Sequence, residues 1–252
     1  MLTAESGMNI KLKPDKVLRD RFFTPESYQH PAKGHLGLWR ELLERYTQPG
    51  QWVLDPMAGV GATMLGALMG RNVICVEMEQ HFINPMQASW AKMRQSPMLG
   101  HTLGQVVILR GDARCLPLGR ADAIVTSPPY EESVHGGHGL TVGGFGEPGR
   151  VGRNSQGLSE GYTRSVGGQG QDAAENSENI GNLRSEKYWE AMKIVYAECH
   201  RVLKPGGLMV LVLKGFTRAG KYVDLPGQTR ALCESLGYRF VEEWQRELWS
   251  LS

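Results

Sequence analysis

Four short apolar runs, each halted by a polar or turn-forming residue, constrain this chain more than anything else in it: QWVLD (51–55), RNVICVE (71–77), QVVILRGD (105–112) and ADAIVTSPPY (121–130). All are of strand length and rich in Val, Ile and Leu, without the polar alternation of a strand that has one wet face. Helical spacing lies between them. After the first run, MAGVGATMLGALMG opens on glycines and then turns helical, which reads as strand, tight turn, helix. Further on, SEKYWEAMKIVYAECHRVLKPGG places Trp189, Met192, Val195, Tyr196, Cys199 and Val202 at helical spacing, with Lys204-Pro205-Gly206-Gly207 as the stop. LMVLVLK (208–214) then predicts a buried strand, LPGQTRALCESLG a helix and YRFVEEWQREL (238–248) a last strand. Strands dry on both faces and separated by helices predict an α/β chain, with a mostly parallel sheet and helices on both faces.

One segment breaks the pattern. Residues 131–184 hold fourteen of the 32 glycines and no apolar periodicity, so they cannot bury enough surface to offset the entropy of ordering. We read 1–252 as a single domain and 131–184 as a Gly-rich insertion, mobile or ordered on binding, that contributes to target recognition. Its seven acids, from Glu131 to Glu178, outnumber Arg150, Arg153, Arg164 and Arg184, which makes it a poor electrostatic grip on a polyanion. His135 and His138 have a metal-like spacing but no third ligand nearby, so no metal site is expected.

The formal charge of +2 leaves the partner undecided. Cys75, Cys115, Cys199 and Cys233 are far apart and form no C-x-x-C pair, which argues against both a zinc knuckle and a disulfide framework. No signal-peptide or membrane-spanning apolar stretch is present, so a soluble, cytoplasmic protein is expected.

Chemistry concentrates at the strand ends, where open parallel sheets bind ligands. In DPMAGVGAT (55–63), Gly59-x-Gly61 lets the backbone turn sharply and approach a ligand before a helix N-terminus; taken alone it is equally a plain tight turn. Glu77 ends the next strand, where an acid can take both ribose hydroxyls, and Asp112 ends the third, where a carboxylate can accept from an adenine amine. Met64 stands where a dinucleotide fingerprint needs its third glycine, and no P-loop is present. A nucleoside ligand without pyrophosphate fits better, and S-adenosyl-L-methionine is one.

With these residues in view, the chain resembles the DNA amino-methyltransferases, the cytosine-N4/adenine-N6 DNA methylase family. HPAKGHLGLWRELLERYTQPGQWVLDPMAGVGAT resembles that family's cofactor-binding start, TSPPY its catalytic motif, and RVLKPGGLMVLVLK a strand typical of class I methyltransferases. The resemblance implies a Rossmann-like class I methyltransferase fold and a site-specific DNA methyltransferase of a restriction-modification kind. It also implies cofactor contacts from His30, Pro31, Ala32, Lys33, Asp55, Pro56, Met57, Gly59, Gly61, Thr63, Glu77, Asp112 and Ala113, and catalysis by Ser127, Pro128, Pro129 and Tyr130.

The Ser-Pro-Pro-Tyr stretch has a chemical reading of its own. A base amine is a poor nucleophile because its lone pair is delocalised into the ring, so acceptors fixed in space are needed to favour pyramidal nitrogen. The Ser127 hydroxyl and the Pro128 carbonyl can accept from the amine, the prolines hold that geometry, and Tyr130 can stack on an extrahelical base. Ser before Pro-Pro favours cytosine N4, because a hydroxyl can also donate to the ring N3. Two alternatives stay open: a tRNA guanine-N2 methyltransferase, against which Ser127 and Glu131 count, and a cofactor-binding scaffold subunit without catalysis.

Overall fold

A computed structural model describes residues 12–30, 33–96, 100, 102–131, 179–218 and 220–246. Its strands are β1 (Trp52–Asp55), β2 (Asn72–Glu77), β3 (Val106–Arg110), β4 (Ala121–Thr126), β5 (Leu203–Leu211), β6 (Phe216–Arg218) and β7 (Lys221–Val223). The helices are α1 (Lys16–Phe22), α2 (Leu36–Tyr46), α3 (Leu65–Leu68), α4 (Gln80–Met93), α5 (Ser185–Val202) and α6 (Leu225–Ser235). Five strands make one sheet in the order β3-β2-β1-β4-β5, parallel throughout, while β6 and β7 form a separate antiparallel hairpin. Each of the four apolar runs became a strand, the first three within two residues of their limits, while the fourth ends at Thr126, before Ser127-Pro128-Pro129-Tyr130.

Strand alternation feeds two cores. Val53, Val73, Cys75 and Val125 pack with Phe22, Trp39, Leu43 and Met86 on one face of the sheet. Leu54, Val76 and Ile124 pack with Tyr188, Met192, Tyr196 and Leu225 on the other. Burial on both faces is why these strands read as continuous apolar runs, and it leaves the strand ends as the places where polar side chains can gather. The chain runs outward from β1 through β2 to β3 and then returns to lay β4 against β1. A crevice opens at that reversal, beyond the carboxyl ends of the two strands.

Two expectations need correction. The glycine stop after α5 is not a clean break, because Leu203 already pairs with Ala121 and Leu208 with Ala123. Lys204–Gly207 bulge out between those pairings, with Gly206 at φ 78, so one strand spans the turn. The strand expected at 238–248 is absent from its described part, 238–246. There the alternating aromatic residues are spent on side-chain packing instead: the Tyr238 hydroxyl donates to the Tyr196 carbonyl, Arg230 lies over Phe240, and Arg45 lies over Trp244. Among the described residues no helix is long and apolar enough to cross a membrane.

Arg71 locks α2 to the start of β2. It is 5% exposed and donates to Thr47 Oγ1 at 3.0 Å, to the Met69 carbonyl at 2.6 Å and to the Thr47 carbonyl at 2.8 Å. The last carbonyls of α2, which no intrahelical N–H can reach, thus receive a cation. Arg71→Ala is expected to lower stability by about 2–4 kcal/mol, since it strands several buried acceptors at once. Urea unfolding checks this, and a midpoint matching that of the parent would contradict it.

Candidate functional site

Asp55 ends β1 and is 2% exposed. One of its oxygens accepts from the Thr63 hydroxyl; the other accepts from the Thr126 hydroxyl at 2.7 Å and from the Met57 amide at 3.3 Å. Burial pushes this carboxyl up to about 6, against the lowering effect of those three donors. The carboxylate therefore ties the end of β1, the glycine turn and the end of β4 into one unit. Within the turn, Gly59 and Gly61 have φ 53 and φ 81, a region that disfavours a side chain. Close approach adds a second reason at Gly59, where a Cβ would stand 2.8 Å from His30 Nε2. The His30 ring packs in turn on Phe82, with centroids 4.4 Å apart.

Glu77, at the end of β2, accepts the Gly59 amide at 2.7 Å on one oxygen and the Glu79 amide at 3.0 Å on the other. Burial pushes its carboxyl up to about 7, opposed by these backbone donors. The Met78 amide adds a third backbone donor, and a carboxylate with about four acceptor sites retains capacity for a further one. The neighbouring Glu79 accepts from Asn179 Nδ2 at 3.0 Å, which joins the residues preceding α5 to the loop after β2.

Other expected cofactor residues differ in what they offer. Asp112 is gripped by Arg114: Nε lies 3.0 Å from both carboxylate oxygens, Nη2 lies 2.6 Å from one, and the Arg114 amide lies 2.9 Å from the other. Burial raises the Asp112 carboxyl, but the Arg114 contacts outweigh it and hold it below the usual range. Lys33 turns its ammonium onto the carbonyls of Tyr28 (2.9 Å) and His30 (2.8 Å), and burial lowers its pKa. It fastens its own loop. Pro56 and Ala113 are buried and Met57 is half-buried, whereas Pro31 and Ala32 lie outside the described residues.

Beyond β4, Ser127 donates its hydroxyl proton to the Val212 carbonyl at 3.0 Å, and the Pro129 carbonyl accepts from the Tyr188 hydroxyl at 2.9 Å. Nothing among the described residues donates to the Pro128 carbonyl. Tyr130 is half-buried, with its ring 6.2 Å from that of Phe216. Glu131 pairs with Arg218 at 2.8 Å and accepts the Ser185 amide, which fixes the chain immediately after the motif. The insertion expected at 131–184 lies outside the described residues from 132 to 178.

Several of these partners escape sequence reasoning. Arg114 left a usable signal, since Asp-x-Arg places a guanidinium and an amide within reach of the same carboxylate. Thr126 was visible as the last residue of a strand and the first of the TSPPY motif, without a sign that it would bond Asp55. Val212, Phe216, Arg218 and Tyr188 come from elements far along the chain, brought here by β5 and α5, and nothing local in the sequence marks them.

Residues 8–88 match the family model described as DNA methylase. No curated protein sequence matches the chain. Solved structures similar to it include the YcgJ protein from Bacillus subtilis (15% identity, 70% of this chain and 50% of that one, TM-score 0.39). TrmN from Thermus thermophilus matches at 19% identity over 81% of this chain and 51% of that one, with a TM-score of 0.41. A TehB-like SAM-dependent methyltransferase from Corynebacterium glutamicum matches at 15% identity over 80% and 79%, with a TM-score of 0.38. The chain spans about half the length of the first two structures. The segment that matches the DNA methylase family holds His30, Asp55, the glycine turn and Glu77, and stops short of Asp112 and of Ser127–Tyr130.

Proposed function

We propose that this chain transfers a methyl group from S-adenosylmethionine to an exocyclic amine of a DNA base, cytosine N4 ahead of adenine N6. The observation that carries the reading is the hydrogen bond from Ser127 to the Val212 carbonyl. It spends the hydroxyl's single proton, so the oxygen is left with lone pairs only, and beside it the Pro128 carbonyl is a second acceptor. Two fixed acceptors at a strand end suit an amine whose hydrogens must be held while its nitrogen becomes pyramidal. The DNA methylase match over residues 8–88 supports the choice of substrate class.

The residues at the neighbouring strand ends fit the cofactor. Glu77 retains acceptor capacity for a ribose hydroxyl, and the turn at Gly59 brings backbone close beside it. When bound, S-adenosylmethionine supplies an electrophilic methyl on a sulfonium. Asp55 acts through Thr63 and Thr126, holding the cofactor turn and the catalytic strand end in fixed relation. Asp112 can accept an adenine amine only if Arg114 shares it. Tyr130, backed by Phe216, offers a ring face for a flipped base. The insertion at 131–184 contributes to target choice within this single domain.

The preference for cytosine rests on Ser127 by resemblance. Donation from its hydroxyl to a ring N3 would require release of Val212, so the hydrogen bond seen here serves either base. Digestion of methylated DNA to nucleosides and mass spectrometry distinguishes them: methyl on adenine rejects the cytosine preference, methyl found only in RNA favours the tRNA reading, and no transfer at all favours a scaffold subunit.

Two outcomes follow for variants. Because the Glu77 carboxyl is raised to about 7 in the free protein, it is largely protonated at lower pH and gains acceptor strength as it ionises. Affinity for S-adenosylmethionine should therefore rise about tenfold from pH 6 to pH 8 and level off above, the equivalent of about one pKa unit. Calorimetry on Glu77→Gln should give a weaker and pH-flat affinity; an unchanged pH dependence in that variant removes Glu77 from the site. Ser127→Ala should lower kcat by roughly 10²–10³ with cofactor affinity within about twofold, since the lost contact is to the reacting amine. Turnover with labelled cofactor measures this, and near-normal kcat would exclude Ser127 from catalysis.

A further inference from the structure

We infer that the β6–β7 hairpin is the surface that grips the DNA backbone beside the target base, an inference that rests on the methyltransferase reading above. The hairpin follows β5 past its carboxyl end, on the side of the sheet where the Ser-Pro-Pro-Tyr motif stands. It is fastened to that motif twice, by the Tyr130 and Phe216 rings 6.2 Å apart and by the Arg218–Glu131 pair at 2.8 Å. Any nucleic acid that places a base against Tyr130 must run its backbone past these residues.

Arg218 is matched by Glu131, and the hairpin's own remaining charges are positive. From Val212 to Val223 the charged residues are Lys214, Arg218 and Lys221, with no acid among them. Lys214 and Lys221 are exposed and form no ion pair among the described residues. The next acid, Asp224, is committed to capping α6, accepting the Gly227 amide at 3.0 Å. By contrast, the segment 131–184 carries more acids than arginines, so the attraction for phosphate that a DNA enzyme needs must come from elsewhere.

The hairpin also presents an aromatic face. Tyr222 is 71% exposed and its ring lies across Gly215, where a Cβ would stand 2.1 Å from the phenol oxygen and 2.6 Å from the ring carbon that bears it. Only glycine at 215 allows that placement. In the hairpin register Tyr222 stands with Thr217 on the face opposite Phe216, Arg218 and Lys221, so the phosphate contacts fall to the lysines rather than to this ring.

The test titrates the full chain with a fluorescein-labelled DNA duplex of mixed sequence over a range of salt. In the Lys214→Ala/Lys221→Ala double variant the slope of log affinity against log salt should flatten by about 2, from a loss of about 0.9 per phosphate contact. Tyr222→Ala, on the opposite face of the hairpin, should leave the salt slope at the parent value. Calorimetry with S-adenosylmethionine serves as the control and should give parent affinity in both variants. A parent-like salt slope in the double variant, with the parent binding DNA, overturns the assignment, as does a parent chain that binds labelled RNA but not DNA. Failure of the parent to bind S-adenosylmethionine while the salt slope still responds to the lysines would overturn the methyltransferase reading and leave the hairpin as a DNA surface.

Discussion

A single buried carboxylate holds the site together. Asp55 lies where β1 stops, out of contact with water, and its acceptor capacity is divided among a hydroxyl of the glycine turn, a hydroxyl at the end of β4 and its own loop's amide. An unpartnered carboxylate at that depth would cost several kcal/mol. With three donors converging on it, the charge becomes tolerable and the three segments become mutually dependent. The crevice at the reversal of strand order would exist in any sheet of this topology; Asp55 gives it one shape.

From that anchor the remaining polar groups form a connected series. The turn secured by Thr63 presents the Gly59 amide to Glu77, Glu77 receives the amide of Glu79, and Glu79 receives Asn179 from the segment leading into α5. On the opposite flank Thr126 passes the chain to Ser127, which is held by Val212 beyond β5, while Tyr188 of α5 holds the Pro129 carbonyl. Elements widely separated in sequence are thus tied to one end of the sheet. The Glu77 carboxyl, raised by the same exclusion of water, stays responsive to any donor that arrives.

The sheet was legible because burial on both faces leaves a clear record: Val53, Leu54, Val73, Val76, Ile124 and Val125 are all apolar and buried, and the exceptions, Asp122 and Val107, are isolated. Glu77 was legible for the same reason, as a charge where the apolar run ceases. The tail was misread because Tyr238, Phe240 and Trp244 alternate as a strand would, although they are used against Tyr196, Arg230 and Arg45. Residue type also says little about how a carboxylate is spent. Asp55, Glu77 and Asp112 look equivalent as acids at strand ends, yet the first is held by two threonine hydroxyls, the third by Arg114, and Glu77 by backbone amides alone. The hairpin carrying Phe216 and Arg218 was invisible locally, since its place beside Tyr130 depends on where β5 ends.

Carbon-13 NMR titration of the side-chain carboxyls, with and without S-adenosylmethionine, tests this account most directly. Asp55 should titrate near 6 and Glu77 near 7 in the free protein, against about 4 for ordinary carboxylates. Adding S-adenosylmethionine should lower the Glu77 value while leaving Asp55 nearly in place, because the proposed ribose contacts fall on Glu77 while Asp55 stays engaged with Thr63 and Thr126. If both acids titrate near 4, or if Glu77 does not move when the ligand binds, the arrangement of strand-end carboxylates described here is wrong.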